Sequence, residues 1–167
     1  MDIFNEKIVK KRYDMQDLLI VVGLIVAAFF LIFLTVFLNL GMLTPLLVIG
    51  IGYGLFYLIS ARHVEYEYSV TNGDLDVDKI IAKRKRIRLL SIEGKDLEIL
   101  AKLKSEKYTG EYKSIQKKIE AVSHMESEDV YFLVAPYKGE RTILFFEPNE
   151  RMLQDFRKKA PRNVFIS

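Results

Sequence analysis

The sequence predicts an α+β membrane protein, in which an N-terminal two-helix transmembrane hairpin precedes a small, mostly antiparallel β domain that ends in a helix. Three observations support this fold class: an uncharged run of 44 residues, apolar–polar alternation after it, and a final segment with apolar residues at helical spacing. Hydrophobic residues make up 50% of the chain and charged residues 28%. Because the two are segregated along the chain, the composition excludes a uniform soluble globule and a disordered chain.

The uncharged run extends from Leu18 to Ala61 and is long enough for two membrane helices. The first, residues 18–38, would be about 31 Å long at a rise of about 1.5 Å per residue, which matches a bilayer core of about 30 Å. Asn39 and Gly41 supply turn residues. Thr44 and Pro45 then predict a helix N-cap and a first helical position, so that the second helix covers residues 45–61.

This hairpin, residues 18–61, divides the chain into three parts. Residues 1–17 form a cytoplasmic N-terminal segment, and residues 62–167 form a cytoplasmic β domain large enough for one hydrophobic core. A cleaved signal peptide is the weaker alternative, because the region around Leu38 to Gly41 offers a poor cleavage site.

Basic residues flank the hairpin on both sides, whereas the connecting loop has none. The basic residues before the first helix are Lys7, Lys10, Lys11 and Arg12, and Arg62 follows the second helix. The positive-inside bias therefore predicts a multi-pass protein of the cell membrane with both termini in the cytoplasm. The chain contains no cysteine, which fits a reducing compartment.

Gly50 and Gly54 form a small-xxx-small pair in the second helix. Such a face permits close approach of another helix. The partner is either the first helix of the same chain, or a second copy or another membrane protein. The sequence leaves these alternatives open.

Alternating apolar and polar residues predict the strands of the β domain. Val64–Thr71 is a half-buried strand, and Asn72-Gly73 is a strong hairpin signal that leads into a second strand ending near Ile81. The segments 87–92 and 97–103 are further apolar runs, and strands at 130–135 and 142–146 are joined at Lys138-Gly139.

The terminal helix is predicted at 149–160, with Met152, Leu153 and Phe156 on one face. The segment from Ser105 to Met125 is ambiguous, because its apolar residues fit one face of a helix while Lys117 to Ser123 also fits a strand. We expect a helix or ordered loop followed by a short strand.

This order of elements resembles the bacterial pleckstrin-homology-like (PH-like) membrane domains. The resemblance rests on two membrane helices that lead directly into Tyr66-Glu67-Tyr68-Ser69-Val70-Thr71-Asn72-Gly73, followed by short strands and one amphipathic helix. The chain also resembles a family of short bacterial membrane proteins with this length and layout. The resemblance implies a partly open strand barrel used for binding or assembly.

The densest charge cluster consists of Lys83, Arg84, Lys85, Arg86 and Arg88. Its consecutive basic residues argue against a buried strand and predict a protruding connection between strands. If Asn72-Gly73 closes a two-residue hairpin, Lys83 pairs opposite Arg62 and returns to the membrane surface. We therefore expect the cluster to contact anionic lipid headgroups or a partner protein; a solvated basic face is the alternative.

No catalytic, cofactor or metal site is expected. His124 lies near Glu126, Glu128 and Asp129, but one histidine in an acidic loop is more often plain solvated polarity. Nucleic-acid binding is not expected either, because no aromatic residue interleaves the basic cluster. The predicted function is a non-enzymatic, membrane-anchored binding module, with a structural or assembly subunit of a larger membrane complex as the alternative. The predicted partners are the lipid bilayer and either a membrane protein or a second copy.

Overall fold

The structure of the protein, a computed structural model, describes residues 4–166. The chain divides into two compact units. A helical unit contains residues 12–64, and a β unit contains the residues up to Lys11 together with those from Glu65 onward.

The helical unit contains two helices, α1 (Met15–Phe37) and α2 (Leu43–Ser60). Both are long and apolar enough to cross a membrane, with mean hydropathies of 3.1 and 1.8. Asn39 and Gly41 adopt left-handed backbone conformations in the connection between the helices, where the sequence predicted a turn. The start of α2 differs from the prediction, because Met42 occupies the N-cap position and Pro45 lies within the first turn. Proline is tolerated there because the first amide groups of a helix have no partner within it.

Two side-chain pairs join the open ends of the helical hairpin. Asp17 lies 3.6 Å from the guanidinium of Arg62. The hydroxyl of Tyr13 is 3.1 Å from Nε2 of His63, and the two rings meet edge to face.

The β unit begins with a four-stranded sheet, in the order β1-β2-β3-β4. Its strands are β1 (Phe4–Lys10), β2 (Val64–Thr71), β3 (Asp74–Ile81) and β4 (Lys85–Ile92). The limits of β2 and β3 agree with the alternation and the Asn72-Gly73 signal. The β3–β4 ladder is antiparallel, with a register shift between Val77 and Asp78.

Strand β1 revises the predicted organisation of the chain. Residues 1–17 are not one separate N-terminal segment, because Phe4–Lys10 pairs antiparallel with β2, from Phe4 opposite Thr71 to Lys10 opposite Glu65. Val9 and Tyr66, which pair in this ladder, are both buried. The β domain therefore includes a strand that precedes the helical hairpin, and the predicted limits 62–167 leave this strand out.

A second sheet has the order β6-β8-β7-β5-β9. Its strands are β5 (Ile99–Lys102), β6 (Lys117–Ala121), β7 (Tyr131–Tyr137), β8 (Glu140–Phe146) and β9 (Val164–Phe165). The β6–β8 and β5–β9 pairs are parallel, so this sheet is mixed. The ambiguous segment contains a one-turn helix, α3 (Gly110–Lys113), followed by β6.

The terminal helix α4 (Glu150–Lys159) lies within the predicted limits 149–160. The side chain of Asn149 caps it by accepting a hydrogen bond of 2.9 Å from the amide of Met152. Phe156 packs edge to face on Phe146 of β8, which in turn meets Tyr68 of β2. The helix therefore closes a core to which both sheets contribute.

Candidate functional site

The predicted basic cluster begins in the β3–β4 connection. Ile81 pairs with Lys85, so the connection consists of Ala82, Lys83 and Arg84, and the amide of Arg84 donates to the carbonyl of Ile81 at 3.0 Å. Only these three residues form the connection. The other members of the cluster, Lys85, Arg86 and Arg88, lie in strand β4. The protruding connection is therefore shorter than the sequence predicted.

Among the described residues of the β unit, three hairpin connections place two consecutive residues in the left-handed region of backbone conformation. In two of them the second residue is glycine, with φ of 88° at Gly73 and 80° at Gly139. In the β3–β4 connection the corresponding residues are Ala82, at 53°, and Lys83, at 55°. The left-handed region costs an L-residue roughly 1–2 kcal/mol. Lys83 therefore occupies, at this cost in backbone strain, the position that is glycine in the other two hairpins.

Lys83 and Lys85 are exposed at this connection. Within residues 4–166 neither lysine forms an ion pair. We name residues 82–85 the Lys83 turn. Its ammonium groups are available to an external anion.

Arg86 and Arg88 have a different environment, because carboxylates on neighbouring strands neutralise them. Arg86 is 2.7 Å from Glu67 and 3.5 Å from Asp78, and Arg88 is 2.6 Å from Asp76 and also bonds Asp78. Glu67 and Asp78 are buried. The hydrogen bond to Asp78 raises the pKa of Arg88.

These ion pairs give Arg86 and Arg88 a structural role. A buried carboxylate that loses its partner is strongly destabilising. The two arginines therefore satisfy the acids of β2 and β3 and join three strands. The sequence places all five basic residues in one cluster, but the structure separates an exposed turn from a paired strand.

The two glycines of α2 differ in their surroundings. Gly54 lines an apolar cleft of about 230 Å³ between the two helices, together with Ala27, Ala28 and other apolar residues of α1 and α2. Gly50 is exposed. A Cβ atom at either position would find nothing within 4 Å. Packing of α1 against α2 therefore does not require glycine at these positions.

His124 contacts Ser123 rather than the acidic residues that follow it. Its Nδ1 lies 2.9 Å from Oγ of Ser123, and that hydroxyl donates to the buried carboxylate of Glu147 at 2.7 Å. Within the part of the chain that the structure describes, no group of three or more His, Cys, Asp and Glu residues is placed to hold a metal ion.

A second basic surface, which the sequence did not predict, lies around the end of α4 and strand β9. Arg157 and Arg162 are exposed there, and Lys107 reaches it from the loop after β5. The basic run Arg157-Lys158-Lys159 is evident in the sequence. It does not by itself indicate a binding surface, because helix C-termini commonly carry basic residues that interact favourably with the helix dipole. Its convergence with Lys107 depends on tertiary structure.

The two sheets, the closing C-terminal helix and the attached helical hairpin define an α+β protein of the PH-like class. The chain belongs to the family described as the bacterial PH-like domain (DUF6106), which it matches over residues 1–166. This match confirms the resemblance drawn from the order of elements. No curated protein and no solved structure matches the chain.

Proposed function

We propose that the protein is a non-enzymatic binding module, anchored in the cell membrane by α1 and α2, whose Lys83 turn contacts anionic lipid headgroups. The backbone of this turn carries the proposal. A lysine is retained at a left-handed position where the chain's other hairpins have glycine, and strain of this kind is concentrated at functional sites.

The magnitude of the interaction suits orientation rather than anchoring. Each basic residue near an anionic leaflet contributes about 1 kcal/mol. Lys83 and Lys85, with Arg84 between them, would therefore hold the β unit in a preferred attitude while the two helices supply the attachment. The paired Arg86 and Arg88 keep β4 in place beneath the turn.

The proposed orientation places both termini in the cytoplasm. Strands β1 and β2 flank the helical hairpin in sequence and pair with each other. The chain must therefore enter and leave the hairpin on the same side of a membrane. Together with the basic flanks, this pairing supports a cytoplasmic β unit, where anionic lipids are concentrated.

A fluorescent probe on a single cysteine tests the lipid contact in the full chain, which has no native cysteine. The Ala82→Cys variant carries the probe on the Lys83 turn, and Asn72→Cys is the matched control. Both positions have a φ of 53° in a hairpin turn. They lie beyond opposite ends of the eight-residue strand β3, which is about 26 Å long at about 3.3 Å per residue.

Each variant is reconstituted in nanodiscs that contain lipids with a nitroxide on the headgroup, with and without phosphatidylserine. We expect phosphatidylserine to increase quenching at position 82 at least twofold and to leave position 72 unchanged. Equal quenching at position 82 in neutral and anionic nanodiscs would contradict the proposal.

The second candidate function is that of a structural or assembly subunit, and the open space at Gly50 and Gly54 favours it. Because no atom of residues 4–166 outside the local helix backbone would lie within 4 Å of a Cβ at either position, we propose that these glycines serve contact with another membrane helix. Cross-linking in native membranes, comparing the natural chain with Gly50→Leu and with the nearby Ile49→Leu control, tests this. Loss of a cross-linked product only in Gly50→Leu supports the subunit function, and identical products in all three chains refute it.

A further inference from the structure

The exposed side of α2 carries a hydroxyl group deep within the proposed membrane span. Tyr53 is 68% exposed, and within residues 4–166 its hydroxyl has no hydrogen-bond partner. At about 1.5 Å per residue, Tyr53 lies about 15 Å from the start of α2 and about 10 Å from its end. Its side chain points toward the start of the helix, which keeps the hydroxyl inside the span. Tyrosines of the membrane interface, by contrast, lie at the level of the headgroups.

Hydrocarbon offers this hydroxyl no acceptor, and a hydroxyl in an apolar medium without a hydrogen bond costs free energy. The other helix shows how the requirement is met within one chain, since the hydroxyl of Thr35 donates to the carbonyl of Ile32 at 2.7 Å. Polar side chains of membrane helices also form hydrogen bonds across helix pairs. Because the described part of the hairpin supplies no acceptor for Tyr53, that acceptor has to come from another helix.

Tyr53 belongs to a continuous face of α2 that α1 leaves uncovered. Four exposed residues form this face, which we name the Tyr53 face: Leu46, Gly50, Tyr53 and Tyr57. They follow one another at intervals of four, three and four residues, the spacing of the seam between paired parallel helices. At about 100° per residue, the seam lies roughly 120° around α2 from Ile51, Leu55 and Leu58, which line the cleft with α1.

The Tyr53 face is complementary in shape and in hydrogen bonding to a second copy of itself. It combines one large side chain, Tyr53, with an open site one turn away at Gly50, where a Cβ would find nothing within 4 Å. A helical side chain covers the turn that precedes it, so the Tyr53 ring reaches the level of Gly50. In a parallel pair, each ring therefore fills the site over Gly50 of the other copy. A backbone carbonyl that lacks the cover of a side chain there can accept the bond from the phenol.

Membrane insertion supplies the orientation that such a pair needs. The positive-inside bias gives every copy the same orientation, so the α2 helices of two copies run parallel and a two-fold axis along the membrane normal relates them. The composition of the helices agrees with this assignment. The mean hydropathy of α2 is 1.8, against 3.1 for α1, so α2 is the helix less suited to contact lipid on all sides.

We propose that α2 pairs with α2 of a second copy of this chain through the Tyr53 face, and that each Tyr53 phenol donates to a backbone carbonyl beside Gly50 of the other copy. This inference rests on the membrane anchoring proposed above. It goes beyond the subunit function by naming a second copy as the partner and Tyr53 as the residue that recognises it.

Cysteine cross-linking of the full chain in liposomes tests which face is paired, because the chain has no native cysteine. The Leu46→Cys variant places a thiol on the Tyr53 face. The matched control is Phe56→Cys, since Phe56 lies outside the face and both native side chains are 66% exposed. At a low ratio of protein to lipid, we expect oxidation to yield at least five times more disulfide-linked pairs at position 46 than at position 56.

Energy transfer between donor- and acceptor-labelled chains, measured as the liposomes are diluted with lipid, gives the strength of pairing. The labels are attached at Asn72→Cys. Tyr53→Phe removes only the hydroxyl and should weaken pairing about fivefold, because each pair loses two interhelical hydrogen bonds. Gly50→Leu fills the site for the ring and should weaken pairing at least tenfold. Gly52→Leu, the same change at an exposed glycine outside the face, should leave pairing within twofold.

Equal pairing of the natural chain, Tyr53→Phe and Gly50→Leu overturns the proposal, as do equal yields at positions 46 and 56. A natural chain that stays in the membrane but shows no energy transfer overturns the pairing alone. If Gly50→Leu then still loses a cross-link to another protein in native membranes, the face belongs to a different membrane protein. A chain that alkaline carbonate releases from membranes overturns the anchoring and this inference with it. The lipid contact is tested separately, since quenching at position 82 should be the same in Gly50→Leu as in the natural chain.

Discussion

Replacement of Lys83 by glycine should stabilise the β unit while weakening its lipid contact. Lys83 has a φ of 55°, in the left-handed region that costs an L-residue roughly 1–2 kcal/mol and glycine almost nothing. Glycine loses more conformational entropy on folding, which offsets about 0.5–1 kcal/mol of that gain. We expect Lys83→Gly to raise the unfolding free energy by about 0.5–1 kcal/mol, or the melting temperature by about 2–5 °C.

Two control variants separate the backbone effect from charge and from glycine itself. Lys83→Gln removes the charge but leaves the backbone strain at position 83 unchanged. Lys85→Gly places glycine in extended strand β4, where it should destabilise by about 0.5–1 kcal/mol. Thermal unfolding of the full chain in detergent, followed by near-ultraviolet circular dichroism, measures all three.

The order of stabilities decides whether the strain argument is correct. It requires Lys83→Gly to be more stable than Lys83→Gln, and Lys85→Gly to be less stable than the natural chain. A Lys83→Gly variant no more stable than Lys83→Gln would refute the claim that the turn stores backbone strain.

Three further predictions concern the core of the β unit, and the same unfolding assay measures each. Gly94→Ala should destabilise by about 1–3 kcal/mol, because its Cβ would lie 2.4 Å from the carbonyl oxygen of Gly73; Gly110→Ala, where nothing lies within 4 Å, is the control and should be neutral. Asn149→Ala should lower the unfolding free energy by about 1 kcal/mol because it removes the cap of α4, whereas Asn149→Asp should retain most of the capping free energy. Burial raises the pKa of Tyr68, so above pH 10 the unfolded chain releases a proton that the folded chain keeps, and the unfolding free energy falls. Tyr68→Phe should make that fall shallower by up to about 1.4 kcal/mol per pH unit, and an unchanged slope would show that Tyr68 is not the group responsible.

The elements that local patterns define were predictable from the sequence. The limits of β2 and β3 follow from period-two alternation and from Asn72-Gly73, whose preference for left-handed backbone is intrinsic to those residues. The charge-free run likewise locates both apolar helices to within a few residues. Strand β1 was not predictable in the same way, because its pairing partner follows it by more than fifty residues and only Ile8-Val9 suggests a strand.

The candidate site was predicted in its composition but not in its geometry. The sequence shows five basic residues between 83 and 88, but gives no sign that Glu67, on a different strand, pairs with Arg86. The second basic surface, around the end of α4 and strand β9, depends on long-range packing even more strongly, since Lys107 and Arg162 are far apart in sequence and meet only because β9 adds to β5.

The lipid contact of the Lys83 turn is the central claim, and titration of the anionic lipid fraction tests it most directly. Headgroup quenching of a probe at position 82 is recorded as phosphatidylserine is raised from zero to about one third of the lipid, for the natural turn and for Lys83→Glu/Lys85→Glu. We predict that quenching rises steadily with phosphatidylserine for the natural turn, declines again at high salt because of screening, and stays flat for the charge-reversed turn. Identical responses of the two turns would contradict the account.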